Sequence, residues 1–207
     1  MNIAVFCSGS GTNLQAIIDS QKKGYIKAEI KLVVSDTPGC YALKRAENSG
    51  VKTVVVERKN YKAKKDFEAE IINVLKKEGI GLIVLAGYMR MLSEDFIRAY
   101  ENKILNIHPA LLPSFKGTRG IKDAFEYGVK VTGPTVHFVT VDMDAGPVIM
   151  QSPVKVTEDD TEESLGQAVH EEEPRTGTNP KAHEWQNVVD VDVAVAAALD
   201  RPSNPAA

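Results

Sequence analysis

"KKDFEAEIINVLKKEGIGLIVLAG", residues 64–87, reads as two elements in direct succession. Phe67, Ile71, Val74 and Leu75 fall on one face at helical spacing, and Gly79 ends the helix. Residues 81–87 then run apolar without alternation. A short run of that kind is a strand buried on both faces, which is how parallel sheets covered by helices read. A helix that leads straight into such a strand is half of a βαβ unit.

The same rhythm extends in both directions. Upstream, strands are expected at 3–7, 30–35 and 51–57, with helices at 12–23 and 41–50 between them. Downstream, Ser93 is the expected N-cap of a helix over 93–100, and "ILNI" (104–107) is a fifth strand. After a short helix at 121–128 the pattern changes. "VTGPTVHFVT" (131–140) and "GPVIMQSPVKV" (146–156) read as two strands with no helix between them. The predicted fold class is therefore α/β: a mostly parallel open sheet with helices on both faces and an antiparallel addition near the C-terminal half. In such sheets ligands bind at the carboxyl ends of the strands, which directs attention to loops 8–13, 36–40, 86–92, 106–120 and 140–146.

Composition sets the outer limits. The chain of 207 residues carries 25 basic and 28 acidic side chains, a net charge of -3. That balance argues against a dedicated nucleic-acid binder. Cys7 and Cys40 are too few for a disulfide framework or a zinc site, and no metal-ligand spacing appears, so no metal is expected. No run approaches the length of a membrane span, and a cytoplasmic protein without a membrane partner is the expectation.

The first loop, "CSGSGTNLQA", allows a tight turn at Gly9 and Gly11 and then opens a helix at Thr12 and Asn13. Free N–H groups at that helix start favour an anion such as a phosphate. The loop lacks Gly-Lys-Ser/Thr and the third glycine of the dinucleotide fingerprint, although Asp36 stands where a ribose-binding acid would. A phosphate monoester, a dinucleotide and a plain glycine-rich turn are all open on this motif.

The second group of polar residues lies in "LNIHPALLPSFKG" (105–117), where Asn106 and His108 leave one strand end on the same side. His137 falls within a strand, and "TVDMDAGPVI" (140–149) adds Asp142 and Asp144. An amide, an imidazole and a carboxylate suit acyl-type chemistry: oxyanion donor, proton donor and orienting acid. There is no G-x-S-x-G, so the attacking group would come from the substrate. Each residue also has a plain reading, as a loop hydrogen-bonder, a buried strand histidine or a turn aspartate.

Read together, "GSGTNLQA", "AGYMRML", "LNIHPALLPSFKG" and "VHFVTVDMDAGPVIMQ" closely resemble the folate-dependent formyltransferase family, in its phosphoribosylglycinamide branch. "HPALLPSFKG" is shared in kind across the family, while "GSGTN" points to that branch. The resemblance covers residues 1 to about 173 and implies a formyltransferase domain there, followed by an atypical tail at 174–207. It implies formyl transfer from 10-formyltetrahydrofolate to the amine of glycinamide ribonucleotide. Asn106, His108 and Asp144 match the catalytic trio. Gly11, Thr12 and Asn13 match the segment that holds the substrate phosphate, and Glu173, with His170, the substrate's glycine end. Lys64 matches a folate-contacting position, and Met89, Arg90, Met91 and Leu92 a segment bordering the pterin, with Asn106 also touching the formyl-folate. Small-molecule partners and a monomer or homodimer are expected.

Beyond 173 the family pattern stops. Pro174 opens a polar, turn-rich stretch; "VVDVDVAVAAAL" (188–199) reads as edge strand or helix, and "RPSNPAA" as disordered. The rival readings are a catalytically impaired ligand-binding homologue, a formyltetrahydrofolate hydrolase and a methionyl-tRNA formyltransferase. The last two are expected to carry a further regulatory or nucleic-acid-binding domain.

Overall fold

The computed structural model describes residues 1–172. The expectations for the tail at 174–207 and for Glu173 lie outside the described residues. The chain divides into two compact units, Met1–Asn106 with Val139–Val141, and Ile107–Phe138 with the chain from Asp142 onward.

The first unit is the βα rhythm made solid. Strands β1 (Asn2–Cys7), β2 (Glu29–Ser35), β3 (Thr53–Val55), β4 (Ile80–Leu85) and the start of β5 (Ile104–His108) lie in the order β3-β2-β1-β4-β5, all parallel. Helices α1 (Thr12–Lys22), α2 (Tyr41–Asn48), α3 (Lys64–Lys77) and α4 (Glu94–Ala99) connect them. Ala4 and Phe6 of β1 join a core with Phe67, Ile71 and Leu75 of α3 and Phe96 of α4. Ile3, Val5 and Cys7, alternating with them and so facing the other way, are just as buried. Helices α1 and α2 pack on each other and on β2. This two-sided burial is why the strands carry no polar alternation. Ser93 caps α4 as its sequence predicts, its Oγ accepting from the Phe96 N–H at 3.2 Å.

The second unit begins on the last residues of β5. It holds α5 (Gly120–Tyr127), β6 (Val131–Thr132), β7 (Thr135–Phe138), β8 (Val148–Gln151), β9 (Val154–Lys155) and α6 (Glu162–Glu172). Its order is β5-β7-β8, with β7 and β8 antiparallel. The expected antiparallel addition is present, but 131–140 and 146–156 are not two continuous strands. Each breaks, at Gly133-Pro134 and at Ser152-Pro153, and the broken ends pair as a separate ribbon, β6 with β9. Proline cannot donate to a ladder, so a run containing one divides there. Val154, Val156, Leu165 and Val169 form a small core of this unit, with Ile121 and Phe125 packed against it.

The break is tight. Gly133 has φ +142°, and a Cβ there would lie 1.9 Å from the Ser152 carbonyl oxygen. Gly133→Ala is expected to cost about 1–3 kcal/mol or more through overpacking. In a chain of this length each kcal/mol lowers the thermal midpoint by about 2–4 °C. A thermal melt reads this directly, and an unchanged midpoint would mean the two breaks do not approach so closely.

Candidate active site

The strand order of the first unit reverses between β1 and β4, which makes the loops after these strands the expected place for a ligand. The loop after β1 ends at Gly11, the N-cap of α1, with φ +71°. A Cβ at Gly11 would stand 2.7 Å from the Cα and Cβ of Ala42, so only glycine fits. No side chain caps α1 and its first turn holds no acid, so its N–H groups and positive dipole end suit an anion. Thr12 is exposed and Asn13 half-buried at this start. Helix α2 anchors the loop from behind: the Ala42 N–H donates to the Gly9 carbonyl (3.1 Å), and Arg45 Nε to that of Ser10 (2.9 Å).

Asp36 does not stand ready for a ribose. Its carboxylate accepts from the hydroxyls of Ser8 (2.6 Å) and Thr37 (3.3 Å) and from Arg90 Nε. Cys7, at the end of β1, is no nucleophile either, because burial pushes its thiol pKa up to about 12, with Cys40 adding to the rise.

The loop after β4 borders a cavity of about 290 Å³. Lys64 and the run Met89, Arg90, Met91 and Leu92, singled out separately in the sequence, line this one space. Arg58, Phe67, Glu68 and Tyr88 complete its wall. Three cations beside methionines and aromatic rings suit an occupant with flat apolar rings and carboxylates. Glu68 is the residue that reading by motif missed. It is only 3% exposed. One oxygen accepts from the Ser93 N–H at 2.9 Å and faces Lys64 Nζ at 3.7 Å. The other, like the Tyr88 hydroxyl, has no hydrogen-bond partner among the described residues. A carboxylate on the same helical stripe as Phe67, Ile71 and Leu75 was the available signal.

In the second unit, His108 and Asp144 lie side by side. His108 is 3% exposed; its Nε2 donates to the Phe115 carbonyl at 2.8 Å, and its Nδ1 lies 3.5 Å from Asp144 Oδ2. The Gly117 N–H donates to the same Oδ2 at 2.8 Å. Asp144 Oδ1 lies 3.6 Å from Nε2 of His137, which is itself 2% exposed. One carboxylate thus spans two buried imidazoles. The loop that follows His108 is tied down by Thr135, whose hydroxyl donates to the Ala110 carbonyl (2.7 Å) and accepts from the Leu112 N–H (3.1 Å).

Burial and charge pull His108 in opposite directions. An acid beside His108 favours the imidazolium, and Asp144 does pull in that direction, as does the Phe115 carbonyl. Burial is the larger effect, and with His137 it leaves His108 below the ordinary imidazole pKa rather than above it. Burial alone would raise Asp144. The contacts from His137, the Gly117 N–H and His108 together outweigh it and hold the carboxyl below its usual range.

The other predicted positions are less enclosed. Asn106 is half-buried on β5, paired in register with Leu85, two residues before His108. Asp142 is exposed, and His170 is exposed on α6. Among the described residues no group of three His, Cys, Asp or Glu side chains could hold a metal ion, and no helix is long and apolar enough to cross a membrane.

The Formyl transferase family profile matches residues 1–178. The phosphoribosylglycinamide formyltransferase of Bacillus subtilis is 42% identical over 81% of this chain and 86% of its own length. The chicken trifunctional purine biosynthetic protein adenosine-3 is 48% identical over 84% of this chain. The chain spans only 17% of that protein, and 13% to 16% of its human, bovine and Drosophila melanogaster counterparts. The crystal structure of glycinamide ribonucleotide transformylase 1 from Symbiobacterium toebii superposes with a TM-score of 0.81 at 44% identity, covering 83% of this chain and 81% of that one. On sequence and fold alike, the chain belongs to the formyl transferase family.

Proposed function

We propose that this chain transfers the formyl group of 10-formyltetrahydrofolate to the amine of glycinamide ribonucleotide, a step of purine synthesis that releases tetrahydrofolate. The observation that carries the reading is a buried imidazole set against a carboxylate, in a sequence with no nucleophile elbow. Such a pair moves protons, and the attacking nitrogen belongs to the substrate.

Each residue then has a task. The uncapped start of α1, with Gly11, Thr12 and Asn13, receives the substrate phosphate. Glu173 and the exposed His170 serve the substrate's glycine end. In the cavity, Lys64 and Arg90 offer positive charge to the carboxylates of the formyl-folate, and Met89, Met91 and Leu92 border its rings. As the amine adds to the formyl carbon, Asn106 donates its amide N–H to the oxygen that becomes negative. His108 supplies the proton that the departing folate nitrogen must gain, while the attacking amine gives one up. Asp144 orients the ring and favours its charged form. No step calls on a metal. The protein acts on small molecules in the cytoplasm, as a monomer or homodimer, with no nucleic-acid or membrane partner.

Incubation with both substrates is expected to yield tetrahydrofolate in step with formylated product. Binding of both without turnover would instead identify an impaired homologue, and release of free formate a hydrolase. Asn106→Ala is expected to lower turnover about 100 to 1,000-fold, the usual cost of one oxyanion donor; near-normal turnover would remove that role. Because His108 acts while protonated, the rate falls as pH rises through its pKa. Asp144→Asn removes an upward pull on that pKa. Its falling limb should therefore lie at lower pH than the wild type's, with lower turnover, and a superimposable pH–rate profile would contradict the pairing.

A further inference from the structure

We infer that Asp36 is a positioning residue that couples the two substrate sites, through a bridge from the phosphate loop to the wall of the folate cavity. The inference rests on the proposed function for the identity of the two ligands. Asp36 directly follows β2, and its side chain is 6% exposed. Its two oxygens serve different segments. Oδ1 accepts from Ser8 Oγ at 2.6 Å, and Ser8 directly precedes the Gly9–Gly11 turn. Oδ2 accepts from Arg90 Nε, and Arg90 lines the cavity.

The bridge closes on itself. Ser8 Oγ also accepts from the N–H of Met89, another cavity residue, at 3.0 Å. The Ser8 N–H donates to the Gly87 carbonyl, also at 3.0 Å. The Arg90 guanidinium is held on a second side, 5.9 Å from the centre of the Phe67 ring. One buried charge therefore fixes both the entry to the phosphate loop and the cation beside the cavity, through charge-assisted bonds that are costly to break singly. A ligand that orders the loop orders Ser8, and with it Met89 directly and Arg90 through Asp36. The second ligand then meets a wall whose ordering cost is already met. Linkage requires the effect to be equal in both directions.

The test is calorimetric, on the full chain, with glycinamide ribonucleotide and tetrahydrofolate, a pair that binds without turnover. Each ligand is expected to tighten the other's Kd by the same factor, about fivefold or more. Asp36→Asn should weaken tetrahydrofolate binding and bring the factor close to one. Ser8→Ala, a one-atom deletion that leaves the Asp36–Arg90 pair, should abolish the coupling with a smaller change in either separate Kd. Ser8→Thr, which keeps the hydroxyl, should restore it. A purely structural role would weaken both ligands and leave the factor unchanged. A wild-type factor of one, or an undiminished factor in Ser8→Ala, overturns the inference while the proposed function stands. Failure of both ligands to bind overturns the function and the coupling with it.

Discussion

A single carboxylate, Asp144, lies between two buried imidazoles, and the polar centre of the second unit depends on keeping it there. An ionised acid in a poorly hydrated place is costly unless each oxygen is matched. Here the Gly117 N–H donates to one oxygen, which His108 also faces, and His137 faces the other, each imidazole pairing with the acid when it is protonated. The geometry exacts its own cost. Asp144 and Phe115 both have positive φ, +47° and +53°, which for residues other than glycine costs of order 1–3 kcal/mol each. Asp144 bears the carboxylate, and Phe115 offers the carbonyl that receives His108 Nε2. Both of these residues hold the histidine; the third such residue among those described, Asn102 (φ +57°), lies in the turn between α4 and β5.

The first unit is shaped by a different constraint. Parallel strands must be buried on both faces, which leaves only their ends for binding. At the carboxyl ends of β1 and β4 the chain departs in opposite directions, and the two loops there divide the work. One offers backbone N–H groups and glycine turns; the other offers Arg90 and two methionines to a cavity whose other cations, Arg58 and Lys64, come from the chain before β4. Glu68 joins the second loop to α3 through Ser93, the residue that also caps α4. The wall of the cavity is therefore set by helix placement as well as by the loop's own sequence.

The parallel half of the fold was legible because its signals are local. Apolar runs, a helix stripe at 64–77 and the cap at Ser93 each declare an element within a few residues. The antiparallel half was only partly legible. Gly133-Pro134 and Ser152-Pro153 stood in plain view, but that the broken ends would pair with each other is a contact across some twenty residues of chain. The Gly9–Gly11 turn and the cavity-lining run 89–92 were singled out through motifs. Glu68 and the Asp36–Arg90 pair were not, since a charge on an apolar stripe or after a strand has no meaning until its partner is placed. His137 looked like strand filling for the same reason: its partner, Asp144, lies in the following loop.

His108 shows why spacing and chemistry must be weighed together. Its Nε2 faces a carbonyl, which can only accept, so that nitrogen carries a proton in either charge state. The neutral ring then turns the lone pair of Nδ1 towards Asp144 Oδ2, setting an acceptor against an acceptor at 3.5 Å. Protonation removes that conflict and creates an ion pair, while burial resists the charge it brings. Neither form is fully at ease. A ring stabilised strongly as the cation would hold its proton, and one buried without the acid would never acquire it. In the proposed reaction this opposition governs how His108 takes and yields its proton, with burial favouring release and Asp144 retention.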